Sequence, residues 1–480
     1  MMTGRKLGVI GFAVLVCGVS CLAFGQNATS LNAVHSVYLG SFGNQPGAQD
    51  LRRALMDALK RSPLHVSVSA QADAVLEGVG EIWIRGHHSL SPRARTNDVY
   101  AEPIYGGYLS VRARGKNGEI LWSYFVNPKR AAFGGDLKHD LAVRLVDNLT
   151  EAISRSTDTS ATLASFSGKP VTLRGGGATF PYPIYEQWFS SFHAVNPFVQ
   201  FAYEPVGSLA GIAQLCAGRS DFAGSDIPVS ALPDPTAHTS LLEFPSVVGA
   251  VVIIYNLSEW GGDLRLTPEV LAGILDGHIR KWNDPAIRAL NHGSLPDKPI
   301  QVVHRSDGSG TTFALTEYLS KVSENWRAVI GRGATVNWLV GEGANGNEGV
   351  SKLVEQTPYS LGYTEFIYAF RHRLASAAIR NAAGNFIDAD LPSIAAAAAN
   401  GTGWDTSDFA VSLSNVPGRQ SYPISTYTRL VFSKPFENKA LRQFLQWVLV
   451  EGQRQCMGLG YAPLPRSMIE REQRALQDLK

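Results

Sequence analysis

Cysteine is scarce in this chain: 4 in 480 residues, with Cys17 and Cys21 inside an N-terminal apolar run. The other two, Cys216 and Cys456, are too few for a disulfide-stapled framework, and no Cys/His spacing suits a zinc or iron site. We expect them to be small buried thiols, with pairing in an oxidising compartment as the alternative. Long apolar stretches are scarce as well. Beyond the N-terminus none is long enough to span a bilayer. Charge of one sign is also missing: 43 basic residues stand against 41 acidic ones, a formal net charge of +2. This excludes the electrostatic footprint of a nucleic-acid binder, and no lysine run suggests a membrane surface.

The one long apolar run is at the start. Arg5 and Lys6 precede Leu7 to Phe24, and Ala23-Phe24-Gly25 supplies small residues where a signal peptidase reads. Residues 1–25 are therefore expected to be a signal peptide cleaved before Gln26, which makes the product periplasmic. A retained anchor is opposed by Gly11, Gly18 and Ser20, which interrupt the run. Lipid attachment at Cys21 is a further alternative, weakened by Gly18 three residues before it. The leader carries two basic and no acidic residues, so the remainder is formally neutral.

With 45% apolar and 18% charged residues the composition is globular, and the length exceeds what one core organises. Hydrophobic periodicity predicts strands at Val34–Leu39, Val66–Ser69, Ala74–Arg85, Tyr105–Arg112 and Glu119–Val126. Helices are expected over Gln45–Ser62, with Leu51, Leu55, Met56 and Leu59 on one face, and over Asp136–Ser154. Lys116-Asn117-Gly118 reads as a hairpin turn. Residues 30–160 thus form a small α/β domain whose polar residues are thin. His87, His88, Arg93, Arg95 and Asp98 fall in an expected loop, read as solvated charges. A Ser/Thr-rich linker near 161–170 follows, and from Pro170 strands alternate with helices and glycine turns. Ile394–Ala399, stopped by Asn400-Gly401, reads as a plain helix, and Trp188, Trp282 and Trp338 as core.

Three segments have the chemistry of an anion cradle. Gly175-Gly176-Gly177-Ala178-Thr179-Phe180-Pro181 places glycines and a hydroxyl before a helix start, with Pro181 or Pro183 suited to the first turn. Gly207-Ser208 opens another helix, where Ser208 is either an N-cap or a hydroxyl donor to an oxyanion. The third, His304-Arg305-Ser306-Asp307-Gly308-Ser309-Gly310-Thr311-Thr312-Phe313, runs from a strand, Ile300–His304, through a glycine loop into a helix, Thr311–Ser320. Arg305 offers a planar fork for oxyanion oxygens, with Asp307 placed to hold it, while Ser309 and Thr311 bring hydroxyls and Gly310 an unobstructed amide. Asp226, at the end of Ser220-Asp221-Phe222-Ala223-Gly224-Ser225-Asp226, is an acceptor that fits an anion only if that anion carries a proton. Phosphate does near neutral pH and sulfate does not. Two enzyme templates fail on spacing. No Gly-Lys-Ser/Thr follows the Gly308 loop, and the glycines flanking Ser309 are adjacent to it rather than two residues away.

Gly-Ala-Thr-Phe-Pro, Gly-Ser, Ser-Asp and Arg-x-Asp-Gly-Ser-Gly-Thr, in this order, resemble the phosphate-binding proteins of bacterial ABC phosphate-uptake systems. The resemblance runs from about Val171 to Pro465 and includes Phe244-Pro245-Ser246-Val247-Val248-Gly249, Lys281-Trp282-Asn283-Asp284 and Leu361-Gly362-Tyr363. It implies a two-lobed, type II-like periplasmic-binding-protein fold over 171–480, preceded by the small α/β domain. Lobe one would take about 171–256 and 425–480, and lobe two about 257–424. It further implies that Thr179, Phe180 (by its amide), Ser208, Asp226, Arg305, Ser309, Gly310 and Thr311 hold inorganic phosphate, with Asp307 behind Arg305. The expected product is a monomeric non-enzyme without cofactor or metal that delivers phosphate to an inner-membrane ABC permease. An extracytoplasmic phosphate sensor or phosphohydrolase is the alternative. Two departures stand out: Leu209 where relatives often carry a second serine, and the N-terminal domain itself.

Overall fold

The computed structural model describes residues 30–89, 101–128, 136–156 and 168–479, except 235, 258, 261 and 402–408. The leader, Arg93, Arg95, Asp98 and most of the expected linker lie outside the described residues.

Strands β1 (Ser36–Leu39), β2 (His65–Val66), β3 (Ala74–Ser89), β4 (Ala101–Arg114) and β5 (Ile120–Val126) form one sheet in the order β2-β1-β3-β4-β5. The first three run parallel, and β3, β4 and β5 antiparallel. The β4–β5 hairpin turns at Gly118, whose φ of +84° suits an Asn-Gly turn. Helix α1 (Ala48–Lys60) buries Leu51, Leu55, Ala58 and Leu59, one stripe at helical spacing. Helix α2 (Leu137–Arg155) starts where the Asp136 carboxylate accepts the Lys138 and His139 N–H groups, and it buries Leu141, Leu145 and Leu149. The loop expected at His87 and His88 is instead strand, since both pair with β4 opposite Pro103 and Glu102. The expected strand Val66–Ser69 ends at Val66, and Val68 is wholly exposed.

From Val171 a second sheet of nine strands begins. On one side lie β6 (Val171–Gly177), β7 (Val199–Glu204) and β8 (Phe222–Ser225); on the other lie Gln301–Arg305, Glu342–Ala344 and Ser360–Glu365. Between them run β9 (Leu241–Tyr255) and the strand Ser425–Ser433, which join the two halves. Strand β9 changes partner midway. Leu241 to Ala250 pair with Ser425–Ser433, whereas Val251 to Tyr255 pair with Leu361–Glu365. Nearly every β9 residue is buried, so it reads as an apolar run rather than an alternating strand. The two halves, with the helices packed on them, make two lobes sharing continuous strands.

The N-terminal sheet packs on both lobes. Phe125 stacks edge-on against Phe366 and Phe370 of the second lobe, ring centroids 5.9 and 5.1 Å apart. Arg85 pairs with Asp263 and Glu81 with Arg373. Towards the first lobe, the Ser110 hydroxyl donates to Gly458 O (2.6 Å), and the Ser123 hydroxyl donates to Arg454 O (2.7 Å) and accepts from Gly458 N (2.9 Å). Its apolar residues are continuous with the main core. Trp188 and Trp282 are buried as expected, and Trp338 stacks on His304. Cys456 is buried, but Cys216 is exposed, contrary to the expectation of two buried thiols, and the two do not pair. No described helix is long and apolar enough to cross a membrane.

Candidate anion-binding site

Three helix N-termini meet where the lobes touch. Helix α3 (Tyr182–Val195) follows Thr179-Phe180-Pro181, with Pro183 in its first turn. Helix α4 (Ser208–Cys216) begins at Ser208 itself, with Gly207 as the N-cap. The N-cap reading of Ser208 therefore does not hold; its side chain makes no cap bond, and its oxygen lies 3.4 Å from the Asp226 amide. The helix Gly310–Val322 belongs to the second lobe and opens one residue earlier than expected. Its N-cap is Ser309, whose oxygen accepts the Thr312 N–H at 3.0 Å, leaving the hydroxyl proton free to donate elsewhere. Among the described residues the Gly310 and Thr311 amides have no protein acceptor. Such amides, backed by the helix dipole, are what an oxyanion binds.

Glycine is required where the lobes approach. A Cβ on Gly310 would stand 2.5 Å from both Asp226 Oδ2 and Ser208 Oγ. Across the same seam the Leu209 amide donates to Gly308 O (3.1 Å), and the Leu209 side chain packs on Gly308. Leu209 is thus a lobe-to-lobe contact.

Arg305 ends the strand Gln301–Arg305 with its side chain almost wholly buried. Its Nε donates to Asp307 Oδ1 (2.7 Å), its Nη2 to Asp307 Oδ2, and its Nη1 to Thr311 Oγ1 (3.1 Å). The two-point grip by Asp307 fixes the guanidinium plane. Burial pushes the Asp307 carboxyl up, but the bonds and charge of Arg305 and the Gly346 N–H outweigh it and hold the group below its usual range.

Asp226 is fully buried beyond the end of β8. Its Oδ1 accepts the Thr428 hydroxyl, and its Oδ2 faces Gly310. Burial pushes its carboxyl up to about 7, against the opposing pull of the Thr428 bond and the charges of Arg305 and Arg429.

The structure brings the eight candidate residues to one seam, Thr179, Phe180, Ser208 and Asp226 from the first lobe and Arg305, Ser309, Gly310 and Thr311 from the second. It also brings residues that the sequence did not single out. Asn347 sits between Thr179 and Thr311. The Tyr368 hydroxyl donates to Thr179 O (2.8 Å) and the Tyr461 hydroxyl to Phe180 O (2.7 Å), fixing two carbonyls of the first loop. No cluster of metal-ligating side chains occurs among the described residues.

Residues 155–451 match the PBP superfamily domain. The phosphate-binding protein PstS of Pasteurella multocida is 42% identical over 308 residues, covering 63% of this chain and 89% of its own. The chain belongs to this family of phosphate-binding proteins. PstS of Haemophilus influenzae is 39% identical over 62% of this chain and 90% of its own. Among solved structures, a putative phosphate ABC transporter substrate-binding protein from Clostridium perfringens, with bound phosphate, aligns at 18% identity and a TM-score of 0.47, over 62% of this chain and all of that one. The matched family domain begins at residue 155, beyond the N-terminal sheet.

Proposed function

We propose that this family member binds inorganic phosphate in the cleft between its lobes, outside the cytoplasm, and delivers it unchanged to an ABC-type permease. The observation that carries the reading is the polarity of the seam: one buried carboxylate, Asp226, faces a site otherwise built from donors. Arg305 Nη1, the Gly310 and Thr311 amides and the Ser208, Ser309, Thr179 and Thr311 hydroxyls suit three ionised oxygens, and Asp226 suits a fourth that carries a proton. Phosphate near neutral pH is such a ligand, and sulfate is not. The names of the relatives support the same ligand. A periplasmic location is supported by the Arg5-Lys6 and apolar pattern that makes residues 1–25 an expected signal peptide.

The site does not favour hydrolysis. Ser309 is committed to its own helix as a cap, and no histidine bonds to it among the described residues; His304 is stacked on Trp338 and bonded to Arg305 O. Titration calorimetry with phosphate, arsenate and sulfate at about pH 8 tests the proposal. Tight phosphate and arsenate binding with at least roughly thousandfold weaker sulfate binding is expected. Sulfate binding equal to phosphate would overturn the reading, and steady turnover of a phosphomonoester would overturn the non-enzyme part.

A further inference from the structure

Asn347 lies at the start of the helix Gly346–Gln356 in the second lobe and is fully buried. Its Oδ1 accepts the Glu365 backbone N–H at 3.2 Å. A backbone N–H can only donate, so the amide oxygen faces Glu365 and the amide nitrogen faces the two threonines. Nδ2 is 3.0 Å from Thr179 Oγ1 and 3.3 Å from Thr311 Oγ1. The Asn347 backbone N–H also donates to Thr179 Oγ1, at 3.3 Å.

A hydroxyl has two acceptor positions and one proton. At Thr179 both positions are taken by N–H groups of Asn347, so its proton is turned away from Asn347. At Thr311 the Arg305 Nη1 and Asn347 Nδ2 protons take the same two positions. The Thr311 proton then has a choice between Asn347 Oδ1, at 3.3 Å, and an oxyanion, and the charged acceptor is the stronger. We infer that Asn347 is a positioning residue that orients the Thr179 and Thr311 hydroxyls as donors to the bound anion, and that it does so for Thr179 only when the lobes are closed. Thr179 belongs to the first lobe and Asn347 to the second, so in an open molecule the Thr179 hydroxyl is free to accept as well as donate. Closure removes that freedom and makes the threonine side of the cradle donor-only. The protonated oxygen of the ligand is thereby directed to the facing side of the cleft, where the Asp226 carboxylate is the strongest acceptor.

This rests on the phosphate reading above, and the test separates the two. Asn347→Asp keeps the acceptor for Glu365 N–H and the shape, but replaces the donor facing Thr179 with an acceptor. Phosphate affinity, by titration at about pH 8, should fall roughly a hundredfold. Thr179→Val removes the hydroxyl, so in that background the same substitution should cost at least roughly tenfold less, because only the added charge and the lost donor to Thr311 remain to be felt. Equal fold-losses in the two backgrounds would overturn the inference and mark Asn347 as merely structural. Melting without anion checks that each variant folds. If Asn347→Asp does not, Asn347→Ala, which deletes the donor without adding charge, passes through the same cycle under the same criterion. A parent protein that fails to bind phosphate sinks the phosphate reading, whereas a binding parent with an additive cycle sinks the Asn347 role alone.

Discussion

The Gly310 α-carbon and the Asp226 carboxylate meet across the cleft so closely that a single added methyl would stand 2.5 Å from Asp226 Oδ2. The two residues come from different lobes, so a side chain at 310 would hold the lobes apart rather than disturb either one. Gly310→Ala should leave the melting temperature of the anion-free protein within a few degrees of the parent while lowering phosphate affinity at least roughly a hundredfold. Near-parental affinity by calorimetry would show that the seam does not close this tightly on ligand.

The carboxyl of Asp226, raised to about 7 by burial, makes selectivity depend on pH. One proton must lie between Asp226 and its anion. Above about pH 7 it has to come from the ligand, and sulfate has none. Below that, Asp226 holds a proton and can donate it to a fully ionised oxyanion. Sulfate affinity should therefore rise about tenfold per pH unit as pH falls towards 7, a one-proton linkage, level off below 7 where Asp226 already holds its proton, and be nearly flat throughout in Asp226→Asn. Titrations between about pH 8 and pH 5.5 decide it; a flat sulfate profile in the parent contradicts the assignment.

The same carboxyl affects stability without ligand. Its pKa is higher in the folded protein (about 7) than in the unfolded chain (3.8), so between these values the folded state binds more protons. Stability from this group is full below the lower value and is lost as pH rises through the upper one. At about 1.4 kcal/mol per pH unit the total is at most about 4 kcal/mol. Buried Glu365 and Glu472, also pushed up by burial, act in the same direction. The anion-free protein should lose melting temperature from about pH 5 to about pH 8, and Asp226→Asn should lose distinctly less. Parallel losses in parent and variant would refute this.

Arg305 is the charge at the centre of the seam, held on two sides by Asp307. Arg305→Ala should cost more phosphate affinity than Ser309→Ala, roughly a thousandfold against about tenfold, because it deletes a charge-assisted donor and leaves Asp307 half-buried without its partner. Asp307→Asn should fall between them. A loss for Ser309→Ala as large as that for Arg305→Ala would reverse the ranking.

Most secondary structure was legible because the N-terminal half carries clean periodicities. The stripe Leu51, Leu55 and Leu59 and the Asn117-Gly118 turn lead directly to α1 and to the β4–β5 hairpin. The three cradle segments were legible because each is local: glycines, hydroxyls and a helix start lie within a few residues. Asn347 and Thr428 were not. Their significance comes from partners 168 and 202 residues away, Thr179 and Asp226, and by itself Asn347 beside a helix start looks like an ordinary cap. His87 and His88 misled because polar residues at the end of a strand read as a loop until their pairing with Pro103 and Glu102 on the next strand is known.

The N-terminal sheet grips the second lobe through Phe125 and the first through Ser110 and Ser123. A body fastened to both jaws of a clamp cannot be indifferent to the clamp's angle. Opening must slide or strain one fastening, so the free energy of gripping the anion and the free energy of seating this sheet are not separate quantities. By thermodynamic reciprocity, a pull on the outer sheet that alters the grip is matched by an equal change in the seating of the sheet when the anion binds.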